Sequence, residues 1–285
     1  MSLKYEFSEL KTSFQAGLAR RKAQSGQQAE YERAEQSATN LWSYQLTLFL
    51  LGMIAGAGLL LPFDGDLSRL AVSVQWLPVE ILKSLTNLVL AAPYVALFTV
   101  IIAVCLVRRH RLRGQEGYRL KIPELLQNYN RLGTIAGQSL FGISAILGAG
   151  LIVNILKYFV GRPRPFLIDS AGPFGFKPFD FSHAYVSFPS GHACTAAVLA
   201  TLLALWFPRY RFFAYAGLAL IASSRVFVQA HYPSDVVTGF AIGTVTTLIL
   251  ARFLAQSGLL FRLGEGQLFP ELKNIISRRI KLQGA

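Results

Sequence analysis

Six stretches of the chain, near residues 42–62, 86–107, 134–156, 191–207, 212–230 and 235–256, are apolar and almost free of charge. A segment that crosses lipid must satisfy its own backbone hydrogen bonds, so a run of about 20 apolar residues reads as a transmembrane helix. The predicted fold class is therefore all-α, a polytopic membrane protein with six transmembrane helices. The fourth and fifth runs are short, and only Pro208-Arg209-Tyr210-Arg211 separates them, which predicts a tight hairpin. Charged residues make up 15% of the chain, well under the roughly 25% of a soluble domain. With 53% hydrophobic residues, the composition excludes disorder and argues against an ordinary soluble fold.

The net charge of +13 could suggest nucleic acid, but the positions of the cations point elsewhere. Of the 28 Lys and Arg, 21 fall in the N-terminal tail, the 108–133 connection, the 208–211 turn and the tail from Arg252 onward. Alternate connections of a six-span chain lie on one side of the membrane, and the positive-inside rule makes that side cytoplasmic. The cluster Arg108-Arg109-His110-Arg111-Leu112-Arg113 reads first as a topology anchor and second as an anionic-lipid contact. No nucleic-acid partner is expected. The layout is a cytoplasmic segment 1–41, a membrane domain 42–256 and a basic cytoplasmic tail 257–285, in a plasma (inner) membrane protein. In the tails, Leu3, Phe7, Leu10, Phe14 and Leu18, and likewise Leu272, Ile275, Ile276 and Ile280, recur at helical spacing. Each set suits a helix lying on the membrane surface, or equally one packed on a partner protein or in a homodimer. Residues 64–83 predict one or two short interfacial helices. The polar first 40 residues show no cleavable signal sequence. Cys105 and Cys194 sit in apolar runs without a CxxC pattern, so neither a disulfide framework nor a zinc site is expected.

Seven cations remain for the extracytoplasmic face: Arg69, Lys83, Lys157, Arg162, Arg164, Lys177 and Arg225. Three segments concentrate charge at that boundary, where an unmatched ion is costly. Lys157 to Pro165 closes the third span, Pro189-Ser190-Gly191-His192 opens the fourth, and Ser224 to Asp235 bridges the fifth and sixth. All lie on one side, so they can meet. Lys157, Arg164 and Arg225 converging need an anion, and phosphate is the obvious one. Ser190, Gly191 and His192 begin a helix whose free N–H groups and positive dipole end favour that anion. His231 precedes Pro233, a natural first helical residue, and Asp235 falls in the first turn. Asp235 can accept from one imidazole nitrogen and leave the other lone pair to attack phosphorus. His192 then protonates the departing oxygen. Arg162 reads mainly as an anchor snorkelling to lipid headgroups, with contact to a second phosphate as the other reading. His183 reads as a loop histidine.

The pattern Lys157-x6-Arg164-Pro165, Pro189-Ser190-Gly191-His192, Ser224-Arg225-x5-His231-x3-Asp235 resembles the three-part signature of the phosphatidic acid phosphatase type 2 superfamily, the lipid phosphate phosphatases. The resemblance implies a metal-independent hydrolase, without cofactor, that works through a phosphohistidine. His231 would be the nucleophile, Asp235 its orienter, and His192 the proton donor that later activates water. Lys157, Arg164, Ser190, Gly191 and Arg225 would bind the phosphoryl oxygens.

The connection Phe166–Phe188 holds six phenylalanines and Tyr185. That suits a substrate with a phosphate head and apolar tails, or else a loop folded on its own cluster. Phosphatidic acid, phosphatidylglycerol phosphate, a polyprenyl diphosphate and a phosphorylated outer-membrane glycolipid are the candidates. Three rival readings use the same residues. A lipid phosphotransferase would pass the phosphoryl group to a hydroxyl in place of water. A vanadium-dependent haloperoxidase would hold vanadate, and a scaffold would keep the fold without the chemistry.

Overall fold

The computed structural model describes residues 41–74, 78–113, 122–257, 259–264 and 267–273. Among the described residues the chain is a helical bundle, six longer helices with short ones between them. They are α1 (Tyr44–Leu60), α2 (Asp64–Ser73), α3 (Val79–Asn87), α4 (Ala91–Arg113), α5 (Ile122–Val160), α6 (Ile168–Ala171), α7 (Gly191–Trp206), α8 (Arg211–Phe227) and α9 (Pro233–Gln256). Each expected span is a helix, and the 64–83 segment supplies the short α2 and most of α3. Among the described residues, four helical stretches are long and apolar enough to cross a membrane: Tyr44–Ser73, Glu80–Leu112, Asn130–Ala171 and Pro233–Gln256. The other two principal helices fall short. At 1.5 Å per residue, the 16 residues of α7 and 17 of α8 reach only about 25 Å, less than a hydrocarbon core of about 30 Å.

The short α7 is the centre of the bundle. Its sequence, GHACTAAVLATLLALW, carries no polar stripe, so every side of it can pack against protein or lipid. Residues 193–202 are buried without exception, wrapped by α5, α8 and α9. The tightest of these contacts is with α9, where Gly239 and Gly243 face α7 one turn apart. A Cβ at Gly239 would overlap the Ser190 carbonyl oxygen, and one at Gly243 the Cys194 carbonyl oxygen. Two small residues four apart let helix backbones touch. They press the beginning of α9 against the beginning of α7, a register sealed by Ser190 N–H donating to the Asp235 carbonyl at 3.0 Å.

Around this centre, α4 runs along α5, and Phe98 meets Trp206 edge-on with ring centroids 6.1 Å apart. α1 leans on α9 and turns an apolar face outward, Leu48, Leu51, Ile54 and Leu59 all being exposed. Such a face is stable only against lipid or another apolar surface. At the end of the bundle away from the short helices, Phe261–Arg262 (β1) pairs antiparallel with Glu271–Leu272 (β2). The expected amphipathic helix starting at Leu272 is thus corrected at that residue. Phe261, fully buried and edge-on to Phe141, draws the chain back under the helix ends as a strand. The remainder of that pattern, and the pattern around Leu3 to Leu18, lie outside the described residues.

Candidate active site

Three helix ends and the loop 161–190 converge on one locale. α5 stops at Gly161, whose φ of +59° lies in the left-handed region. A side chain there would also collide with the Lys177 carbonyl, so glycine is required on both counts. Beyond it the chain runs extended and is stapled to the far side of its own loop. Arg164 N–H donates to Ala184 O at 2.8 Å, and Ser187 N–H donates to Arg162 O at 3.0 Å. Lys157, in the last turn of α5, adds a third staple from Nζ to Val186 O at 2.7 Å. This fixes the loop over the bundle and brings Ser187 beside the turn between α8 and α9.

At that turn His231 is 2% exposed. Its Nδ1 lies 2.7 Å from the Ser187 carbonyl oxygen. A carbonyl can only accept, so Nδ1 carries the hydrogen and a neutral ring leaves its lone pair on Nε2. Burial, reinforced by the charges of Lys157, Arg164 and Arg225, holds the imidazole well below its ordinary pKa, so it is neutral at pH 7. The partner on Nδ1 differs from the sequence expectation. Asp235 lies 4.0 Å from Nδ1, too far to be the acceptor. Its Oδ2 instead accepts from Ser187 Oγ at 2.6 Å and from Tyr232 N–H at 2.9 Å, while Oδ1 accepts from Arg162 at 2.6 Å. Asp235 therefore reaches the imidazole at one remove, through Ser187.

Arg162 is also corrected. It is 1% exposed, paired with Asp64 at 2.8 Å and Asp235 at 2.6 Å, and stacked 4.3 Å from the Tyr232 ring. Two buried carboxylates on one guanidinium outcompete any headgroup, so it neither snorkels nor faces a phosphate.

Arg162 holds both buried carboxylates, and among the described residues Lys157, Arg164 and Arg225 pair with none. Arg164 is buried, and its Nε has no hydrogen-bond partner among the described residues. Arg225, in the last turn of α8, donates to Thr86 Oγ1 at 3.1 Å, and its buried Nε is likewise unpartnered. Lys157 has only the Val186 carbonyl among the described residues. Charges so placed need an anion. His192, half-buried in the first turn of α7, stands within the field of the same three cations. So does the exposed His183, whose pKa is lowered chiefly by the charge of Arg164. Ser190 is buried and caps α7, its Oγ accepting from Ala193 N–H at 3.4 Å. Since its own N–H is committed to Asp235 O, the donors α7 can offer a ligand are its first-turn amides and the Ser190 hydroxyl proton. Among the described residues no group of three or more His, Cys, Asp or Glu side chains could hold a metal ion.

Sequence reasoning missed Asp64, Ser187 and Tyr232. Asp64 resembled Asp66 and Asp169, acids on the same side of the chain, and nothing in its spacing marks it. Ser187 contributes chiefly a backbone carbonyl, which no residue pattern reveals.

The fold and site are those of an apolar helical bundle that gathers basic side chains and two histidines at one place, and comparison with known sequences gives its family. The profile of the PAP2 superfamily matches residues 139–258, a stretch containing every site residue from Lys157 to Asp235. The lipid A 1-phosphatase of Rhizobium etli is 36% identical over 167 residues, covering 56% of this chain and 71% of that protein. The chain belongs to the PAP2 superfamily. The lipid A 1-phosphatase of Rhizobium johnstonii is 43% identical over 151 residues, 53% of this chain and 61% of that protein. Among solved structures, a transmembrane PAP2-type phosphatidylglycerolphosphate phosphatase from Bacillus subtilis aligns with a TM-score of 0.47 and 23% identity, over 74% of this chain and 94% of that one.

Proposed function

We propose that this chain is a multi-pass membrane lipid phosphatase that removes a phosphate from a lipid headgroup through a phosphohistidine on His231. The observation that carries the proposal is the pairing of a buried imidazole, its Nδ1 occupied by the Ser187 carbonyl, with three cations that have no carboxylate partner among the described residues.

In the first step the Nε2 lone pair attacks phosphorus. The bond to the lipid oxygen breaks, and His192 gives that oxygen its proton. In the second step His192 takes a proton from water, the resulting hydroxide attacks phosphorus, and the N–P bond breaks to release phosphate. Lys157, Arg164 and Arg225, with the Gly191 and His192 amides and the Ser190 hydroxyl, meet the charge on the phosphoryl oxygens. Asp235 orients His231 by fixing Ser187.

A lipid substrate is supported by the loop above the site. Phe166, Phe174, Phe176, Phe179 and Phe181 are exposed, Phe181 tilted against Tyr158 and Phe179 edge-on to Phe159 at the end of α5. This apron continues the apolar girdle of the bundle and offers acyl chains a path to the cations. Of the candidate substrates, the phosphorylated glycolipid is favoured by the two lipid A 1-phosphatases that this chain resembles. The six-helix unit 42–256 would carry catalysis, with both tails cytoplasmic and the site outside the cytoplasm. The basic run Arg108–Arg113 ending α4 supports that orientation.

The test is phosphate release from a panel of lipid A, phosphatidic acid, phosphatidylglycerol phosphate and undecaprenyl diphosphate in detergent with EDTA. Release from lipid A above the others, abolished in His231→Ala, is expected. Dependence on added magnesium, or turnover surviving in His231→Ala, would refute the mechanism. Phosphate appearing on a lipid acceptor in place of water would make the enzyme a phosphotransferase.

A further inference from the structure

Arg162, 1% exposed, is the least exposed cation among the described residues. Its Nη2 meets Asp64 at 2.8 Å, and its Nη1 meets Asp235 at 2.6 Å and Ser234 Oγ at 2.8 Å. Its Nε donates to Pro173 O at 3.1 Å. Asp64 answers from the start of α2. Its Oδ1 accepts from Ser234 N–H at 3.0 Å, and its Oδ2 accepts from Ser234 Oγ as well as from Arg162. Every oxygen of both carboxylates accepts from a donor. Four of the five N–H groups of the guanidinium are committed to protein, which leaves Arg162 no face for a substrate phosphate.

A buried ion pair is often no more stabilising than an apolar replacement. Two carboxylates on one guanidinium therefore call for a reason other than stability. The network is continuous with the nucleophile. Asp64 holds Arg162, Arg162 holds Asp235, Asp235 accepts from Ser187 Oγ, and the Ser187 carbonyl accepts the His231 Nδ1 hydrogen.

We infer that Asp64 and Arg162 are positioning residues that set the angle and tautomer of His231 through Asp235 and Ser187. The inference rests on His231 being the nucleophile. The bridge ties the segment after α1 to the catalytic turn, so the first helix of the bundle takes part in aiming the imidazole. Lysine cannot replace Arg162, because an ammonium lacks the planar fork that meets both carboxylates at once.

The experiment compares kcat, KM and orthovanadate inhibition for wild type, Arg162→Lys, Asp64→Asn, the double variant and Arg164→Lys, on one lipid monophosphate and one lipid diphosphate. Folding is checked by size-exclusion profile and thermal melting in detergent. Misaiming by about 1 Å costs on the order of 10²-fold in rate. Arg162→Lys and Asp64→Asn are expected to lose kcat on that scale with both substrates, while KM and vanadate inhibition stay within about threefold. The double variant is expected to be no worse than the poorer single, because both break one bridge. Arg164→Lys is expected to weaken vanadate inhibition instead. If a bridge variant fails to fold, Ser187→Ala cuts the same relay at a neutral hydroxyl and is expected to lower kcat about tenfold at constant KM. Loss confined to the diphosphate, or vanadate inhibition weakened in Arg162→Lys, would make Arg162 a phosphate ligand and overturn the inference. Unchanged kcat in the folded variants would reduce the bridge to packing and overturn it too. His231→Ala turning over normally would instead sink the nucleophile assignment, whatever the bridge variants do.

Discussion

Replacing Gly239 with alanine adds one methyl group, yet the structure makes it a test of how the site is assembled. That methyl would overlap the Ser190 carbonyl oxygen, a backbone atom at the first turn of α7 that no side-chain rotation can move. Alanine favours a helix over glycine by up to about 1 kcal/mol, so in open space the change stabilises. Gly52 supplies that case, since a methyl there would have nothing within 4 Å, and one at Gly148 would meet only Thr246 Cγ2 at 3.8 Å. At Gly239 the overlap must be relieved by pushing α9 away from α7, an overpacking cost of about 1–3 kcal/mol. The net loss is about 0–2 kcal/mol, a fall in Tm of at most roughly 8 °C. The displaced element carries His231 and Asp235, and the element left behind carries Ser190 and His192. A separation near 1 Å costs on the order of 10²-fold in rate. Phosphate release and melting are measured on all three variants in detergent. Gly239→Ala is expected to lose activity about a hundredfold with a modest loss of Tm, and Gly52→Ala and Gly148→Ala to keep both. Activity within threefold of wild type in Gly239→Ala would show that the α7–α9 contact does not aim the catalytic groups.

Arg225→Gln is expected to lower kcat/KM on the order of 10²-fold or more, because it removes a charge aimed at the phosphoryl oxygens; steady-state kinetics check this, and a loss below fivefold contradicts it. His231 stays neutral in the fold below the ordinary imidazole range, while in the unfolded chain it takes a proton near pH 6.5. Its contribution to stability is therefore full above about pH 6.5 and declines as pH falls toward its lowered value, so melting should fall on acidification and fall less in His231→Gln. Phe179→Ser and Phe181→Ser are expected to raise KM severalfold for long-chain lipid phosphates and to leave a short-chain soluble phosphate unaffected, as paired substrate kinetics would show.

The helices were legible because hydropathy needs only one-dimensional information. The apolar run 191–207 marks α7 within one residue at its end, and Pro233 marks the start of α9. Strand β2 was not legible, since Leu272 followed helical spacing and only the burial of Phe261 beneath Phe141 chose otherwise. The residues meeting around His231 were readable as a group, because charge at a membrane boundary is costly enough to be deliberate. Their pairing was not. An i, i+4 spacing of His231 and Asp235 suggested a direct hydrogen bond, whereas the folded loop interposes Ser187. The sequence set Arg164 apart from Arg162 but offered Arg162 a lipid headgroup as partner, whereas in the fold Arg162 meets Asp64 and Asp235 and Arg164 is left beside Lys157 and Arg225. That division depends on where the loop after Gly161 carries each side chain, which spacing alone does not encode.

Attack of His231 Nε2 on phosphorus leaves a phosphohistidine that can be trapped. Wild-type protein mixed with ³²P-labelled lipid phosphate and quenched in alkali, which preserves phosphohistidine, is digested and mapped by mass spectrometry. Label is expected on His231, at Nε2 because Nδ1 is held by the Ser187 carbonyl, and none in His231→Ala. Label on His192, label at Nδ1 of His231, or a full burst of phosphate release with no covalent label would contradict it.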